Sequence, residues 1–105
     1  MADDDAAAVA ALGARAEHVA ERLALVANAK RLLILCELAK GERSVGAIQQ
    51  AVGLSQSALS QHLARLRAAG MLVTRRESQT IYYRICDPEL TQLMAMLYET
   101  FCKPE

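Results

Sequence analysis

The sequence predicts a mainly α-helical fold with a β-hairpin wing, a winged helix-turn-helix working as a homodimer, and three observations carry that expectation. Val45, Ile48 and Val52 recur at helical spacing until Gly53 interrupts them. Ser55 then offers a hydroxyl to cap a helix whose Leu63 and Leu66 fall within roughly 40° of Leu59 on a helical wheel, a narrow apolar stripe. Two β-rich runs follow, Met71 to Arg76 and Thr80 to Cys86, joined by the short polar connection Glu77-Ser78-Gln79.

The first element is a helix whose Val9, Leu12, Ala16, Val19, Leu23 and Val26 are spaced three, four, three, four, three. That seam is too thin to form a core alone and asks for a partner helix. A second, strongly apolar helix carries the uninterrupted apolar run Leu32 to Cys36. The last helix opens on Asp87-Pro88, a capping carboxylate followed by proline at the first helical position, and places Leu90, Leu93, Met94, Leu97 and Phe101 on one side. Both flanking helices read as dimer-forming, although part of each stripe serves the chain's own core. Met1 to Asp5 and Lys103 to Glu105 read as frayed ends.

The second helix of the helix-turn-helix turns Ser57, Ser60, Gln61, Ala64 and Arg65 away from its leucine stripe. Such a small, polar face can approach base edges closely, with Gln and Arg supplying the hydrogen bonds that distinguish bases in the major groove. A solvated amphipathic helix would share the stripe but not the crowding of Ser55, Gln56, Ser57, Ser60, Gln61 and His62 at its start. The chain has 12 basic and 12 acidic residues, yet from Ser60 to Cys86 Arg65, Arg67, Arg75, Arg76 and Arg84 face the single carboxylate Glu77. Arg75 and Arg76, with Gln79 in the wing connection, are therefore candidate contacts to DNA phosphates, and Arg84 is a candidate for a structural ion pair instead. A dimer would present two such helices to successive major grooves about 34 Å apart, which fits double-stranded operator DNA with an inverted repeat.

The 105 residues suit one domain, 1 to 105, and 53% hydrophobic content with one Phe and no Trp points to an aliphatic helical core. No apolar run approaches the roughly 18 residues of a membrane span, and Met-Ala-Asp-Asp-Asp is acidic where a secretory signal is basic, so a cytoplasmic location is expected. There is no glycine-rich phosphate loop, paired catalytic carboxylate or Cys-x-x-Cys motif, so neither an enzyme nor a bound cofactor is expected.

The segment Leu25-Val-Ala-Asn-Ala-Lys-Arg-Leu-Leu-Ile-Leu-Cys36, the motif Gly53-Leu-Ser-Gln-Ser-Ala-Leu-Ser-Gln-His-Leu63 and Thr80-Ile-Tyr-Tyr-Arg-Ile85 resemble the ArsR/SmtB family over nearly the whole chain. The resemblance implies a homodimeric winged-helix repressor that leaves its operator when an inducer binds. Arsenic- and cadmium-type members carry a cysteine pair where this chain has Ser44 and Gly46, and zinc-type members place Asp and His on the last helix, which here lacks histidine. His18 and His62 have no partner at metal-site spacing, so no metal site is expected.

Cys36, Cys86 and Cys102 remain, and in a reducing compartment they rest as thiols. Cys36 and Cys102 match the two cysteine positions of the family's persulfide-sensing subgroup, the sulfide-responsive repressors similar to BigR and SqrR. The resemblance thus implies a dithiol redox sensor in which reactive sulfur species, persulfide or polysulfide, act as inducer by linking Cys36 to Cys102. A peroxide or soft-metal sensor using the same cysteines is the alternative. Cys86 has no counterpart in that two-cysteine pattern and reads as a bystander.

Overall fold

Capping, turn and burial signals explain where the elements of the computed structural model begin and end; it describes residues 3 to 102. Helix α1 (Asp3–Val26) leads into α2 (Ala29–Ala39), where Asn28 Oδ1 accepts hydrogen bonds from the amides of Lys30 at 3.0 Å and Arg31 at 3.1 Å. The expected fraying at the N-terminal end is therefore not seen at Asp3 to Asp5, which are helical; Met1, Ala2 and Lys103 to Glu105 lie outside the described residues.

Helix α3 (Val45–Val52) begins at Ser44, whose Oγ accepts from the Ala47 amide at 3.1 Å, and ends at Gly53, whose φ of 69° is the left-handed cap that glycine adopts without a Cβ penalty. Ser55 Oγ then accepts from the Ala58 amide at 3.1 Å and starts α4 (Gln56–Ala68). The helix-turn-helix has the boundaries its sequence predicts, because each is written in a local signal.

The wing is β2 (Leu72–Glu77) paired antiparallel with β3 (Thr80–Ile85), each one residue shorter at the base than the sequence suggested. Glu77 pairs with Thr80, so the connection is two residues, Ser78-Gln79, and Ser78 carries a φ of 59°. A third strand, β1 (Arg43–Ser44), joins the other edge of β3 through Arg43 to Tyr83 and Ser44 to Tyr82 and was not predicted. Two residues show no alternation for a pattern argument to detect.

Helix α5 (Pro88–Leu97) has its Asp87 cap, with Oδ1 accepting from the Glu89 amide at 3.0 Å, and continues as a π-helical turn at Tyr98–Cys102. The core joins Ile34, Leu35 and Leu38 of α2, Ile48 of α3, the Leu59, Leu63 and Leu66 stripe of α4, Met71 and Leu72 at the base of the wing, and Leu90 and Met94 of α5. All are aliphatic or thioether side chains, as the composition required. Of the α1 seam only Val26 is buried in this core. An ion pair between Arg22 and Asp87, and another from Arg15 to Glu89 at 3.0 Å, instead hold α1 along the start of α5. Val9 at 66% exposure and Leu12 at 56% are left uncovered. No helix among the described residues is long and apolar enough to cross a membrane.

Candidate functional site

The winged helix-turn-helix presents one polar surface. Burial of Leu59, Leu63 and Leu66 turns the opposite side of α4 outward, leaving Ser57, Ser60, Gln61 and Arg65 exposed together with Ser55 and Gln56 at its start. His62 is half-buried at the margin of that face. Its imidazole is held below the ordinary histidine pKa by burial first, then by the positive charges of Arg31 and Arg65. In the wing, Arg75, Arg76 and Gln79 are all exposed.

Arg75 and Arg76 differ in engagement. Arg75 donates through Nη2 to Glu42 Oε1 at 2.7 Å and through Nη1 to Glu77 Oε2 at 2.9 Å, while its guanidinium lies 4.5 Å from the centre of the Tyr82 ring. These bonds raise the Arg75 pKa and lower that of Glu42. Arg76 has no such partners among the described residues. Arg75 thus braces the wing to the segment after α2 and must exchange carboxylates for phosphate to touch DNA. Glu42 carried no sequence signal, since it lies 33 residues from its partner. Arg84 forms no ion pair among the described residues, and its charge contributes only a minor lowering of the Glu42 pKa.

The second site lies where α2 passes the end of α5. Cys36 Sγ and Cys102 Sγ are 3.9 Å apart and both are free thiols. A disulfide is about 2.05 Å long, so closure requires the sulfurs to approach by roughly 2 Å. Cys102 is exposed and Cys36 half-buried. Burial, followed by the hydrogen bond to Cys102 and its charge, pushes the Cys36 thiol up to about 11, against a smaller lowering by Lys40. An open cleft of about 320 Å³ reaches both sulfurs past Leu33, Lys40 and Tyr98. A small reagent can therefore enter.

Cys86 lies outside this pair. Its thiol donates to the Gly70 carbonyl at 3.3 Å at the base of the wing. Among the described residues no group of three or more His, Cys, Asp or Glu is arranged to hold a metal ion.

Known proteins share this architecture. Residues 28–74 match the model of the family described as bacterial regulatory protein, arsR family. The chain is similar to a biofilm growth-associated repressor of Agrobacterium fabrum, 42% identical over 95 residues that make up 90% of this chain and 81% of that protein. Its fold matches the crystal structure of the transcriptional repressor BigR from Xylella fastidiosa with a TM-score of 0.81 at 36% identity, covering 99% of this chain and all of that one. It also matches the homodimeric winged helix-turn-helix DNA-binding domain Mb0332 from Mycobacterium bovis, with a TM-score of 0.70 at 34% identity over 95% of this chain and 86% of that one. With its capped helix-turn-helix, its hairpin wing and these relatives, the chain belongs to the ArsR family of DNA-binding transcriptional regulators.

Proposed function

We propose that this protein is a dithiol-sensing repressor that holds inverted-repeat operator DNA as a homodimer while Cys36 and Cys102 are reduced, and lets go when reactive sulfur species link them. The observation that carries the reading is the 3.9 Å separation of the two sulfurs, one on α2 and one at the end of the last helix. Its similarity to BigR, a transcriptional repressor, supports the direction of control.

The chemistry is two exchanges at sulfur. Exposed Cys102, as thiolate, attacks a sulfur of a polysulfide, forming an S–S bond and expelling the remainder as a thiolate or hydrosulfide. Cys36 then loses its proton to solvent and attacks the captured chain, closing a disulfide or a longer sulfur bridge and expelling a second thiolate or hydrosulfide. The polysulfide is reduced by the two electrons the dithiol gives up. Bridging draws the end of α5 toward α2, or holds it at a new spacing when sulfur atoms are inserted.

The last helix is also where a dimer would be built. Met96 and Phe101 are exposed there, as are Val9, Leu12 and Leu23 on α1, and the structurally similar Mb0332 domain is homodimeric. A shift at the dimer surface alters the spacing of the two recognition helices, each reading a half-site through Ser57, Ser60, Gln61 and Arg65. Releasing the operator tenfold to a hundredfold needs a bias of only about 1.4 to 2.8 kcal/mol between the two geometries. A covalent crosslink can supply it.

Intact mass combined with operator retention tests this. Polysulfide treatment is expected to give one intramolecular bridge with added sulfur and loss of retention, whereas Cys36→Ser and Cys102→Ser keep retention under the same treatment. Oxygen adducts after peroxide, or a bound metal ion, accompanied by release would favour the alternative inducers.

A further inference from the structure

Arg31 has no counter-ion, although it is the most deeply covered cation among the described residues. It lies in the first turns of α2 with only 9% of its surface exposed, and its Nε is sealed from solvent without a hydrogen-bond partner. Its guanidinium makes no ion pair or hydrogen bond among the described residues. Arg22, also largely covered, shows the ordinary arrangement by pairing with Asp87. A guanidinium so largely covered, with Nε unpartnered, is poorly solvated on that side, so an arginine so placed favours an anion from outside the chain at its open end.

The surroundings say which. The charges that act on the half-buried imidazole of His62 are those of Arg31 and Arg65, both positive. The first turn of α2 holds no acidic residue. Arg31 on α2 therefore lies within electrostatic reach of His62 at the margin of α4, where Arg65 adds a second positive charge and no carboxylate is among the charges acting on the imidazole.

We propose that Arg31 and His62, together with Arg65 at the edge of the base-reading face, form a seat for one phosphate of the DNA backbone, beside that face of α4 and apart from the wing. The proposal rests on the DNA-binding role of the family and is independent of the dithiol chemistry. A phosphate there would supply the missing charge to Arg31, accept hydrogen bonds from its planar fork and fix the depth at which α4 enters the groove.

The test uses the full-length reduced protein carrying Arg31→Met, which keeps the bulk of the side chain and removes its charge. Operator and unrelated duplex are titrated over a range of salt, and thermal unfolding is followed without DNA and with inorganic phosphate. The expected result is a loss of affinity of tenfold or more for both duplexes, a decrease of about one in the slope of log K against log salt, and a melting temperature at or above that of the parent. Arg31→Lys should keep the slope while losing part of the affinity, and it decides the matter if the methionine variant does not fold. A lowered melting temperature with unchanged affinity and slope would make Arg31 a structural residue and overturn the proposal. Saturable stabilisation of the parent by inorganic phosphate, with the duplex affinity of Arg31→Met intact, would assign the seat to a free anion and overturn it equally.

Discussion

The two thiols of the candidate sensor differ in exposure, and reactivity should follow that difference. Cys36 is half-buried with its pKa raised to about 11, so it is protonated at neutral pH, while Cys102 is exposed. The raised value means that the protonated thiol favours the folded state, a contribution fully present below the ordinary thiol pKa and lost as pH rises through about 11. Alkylation of the reduced protein near pH 7.5, read by peptide mass mapping, should label Cys102 well before Cys36; equal or reversed labelling would reject Cys102 as the first nucleophile. Cys86 occupies a different environment, donating to Gly70, and Cys86→Ser should keep both operator binding and its sulfur response, because a hydroxyl can make the same bond. Ser55→Ala removes the acceptor at the start of α4 and should lower stability by about 1 kcal/mol in chemical denaturation.

Among the elements, the wing shows what a sequence makes legible and what it hides. Gly53, Ser55 and Asp87-Pro88 announced helix ends because caps and breakers act within a few residues, and the leucines of α4 announced its buried side through their period. The brace from Arg75 to Glu42 joins positions 33 apart, and β1 is only two residues long, so neither leaves a local pattern. The burial of Arg31 is similarly invisible, since in sequence it is one more cation beside Lys30. The cysteine pair was legible only by resemblance, as 66 residues separate its members. Because Arg75 is occupied and Arg76 is not, Arg76→Ala should reduce the salt slope of DNA binding by about one, whereas Glu42→Gln should loosen the wing. The hydrogen bond from Arg75 is the first cause of the lowered Glu42 pKa, so the brace contributes above the usual carboxylate value of 4.5 and is lost as pH falls below it. Amide exchange in β2, corrected for intrinsic rates, should therefore be steady from pH 5 to 8 and accelerate only in acid.

At the scale of the whole molecule, the exposed apolar residues of the long α1 and of α5 are the surface on which the proposed dimer would form. Leu12→Glu should convert the protein to monomer in light scattering and weaken operator binding more than single-half-site binding; a dimer of undiminished mass would place the interface elsewhere. In the proposed dimer the two sites would be linked through the last helix, which ends at Cys102 and carries exposed Met96, while α4 and the wing are the proposed DNA surface. The most direct measurement follows operator retention and intact mass together on one reduced sample as polysulfide is added. The account predicts that release rises in step with a single sulfur-containing bridge between Cys36 and Cys102 and that Cys36→Ser abolishes both. Release without that bridge, or the bridge without release, would contradict it.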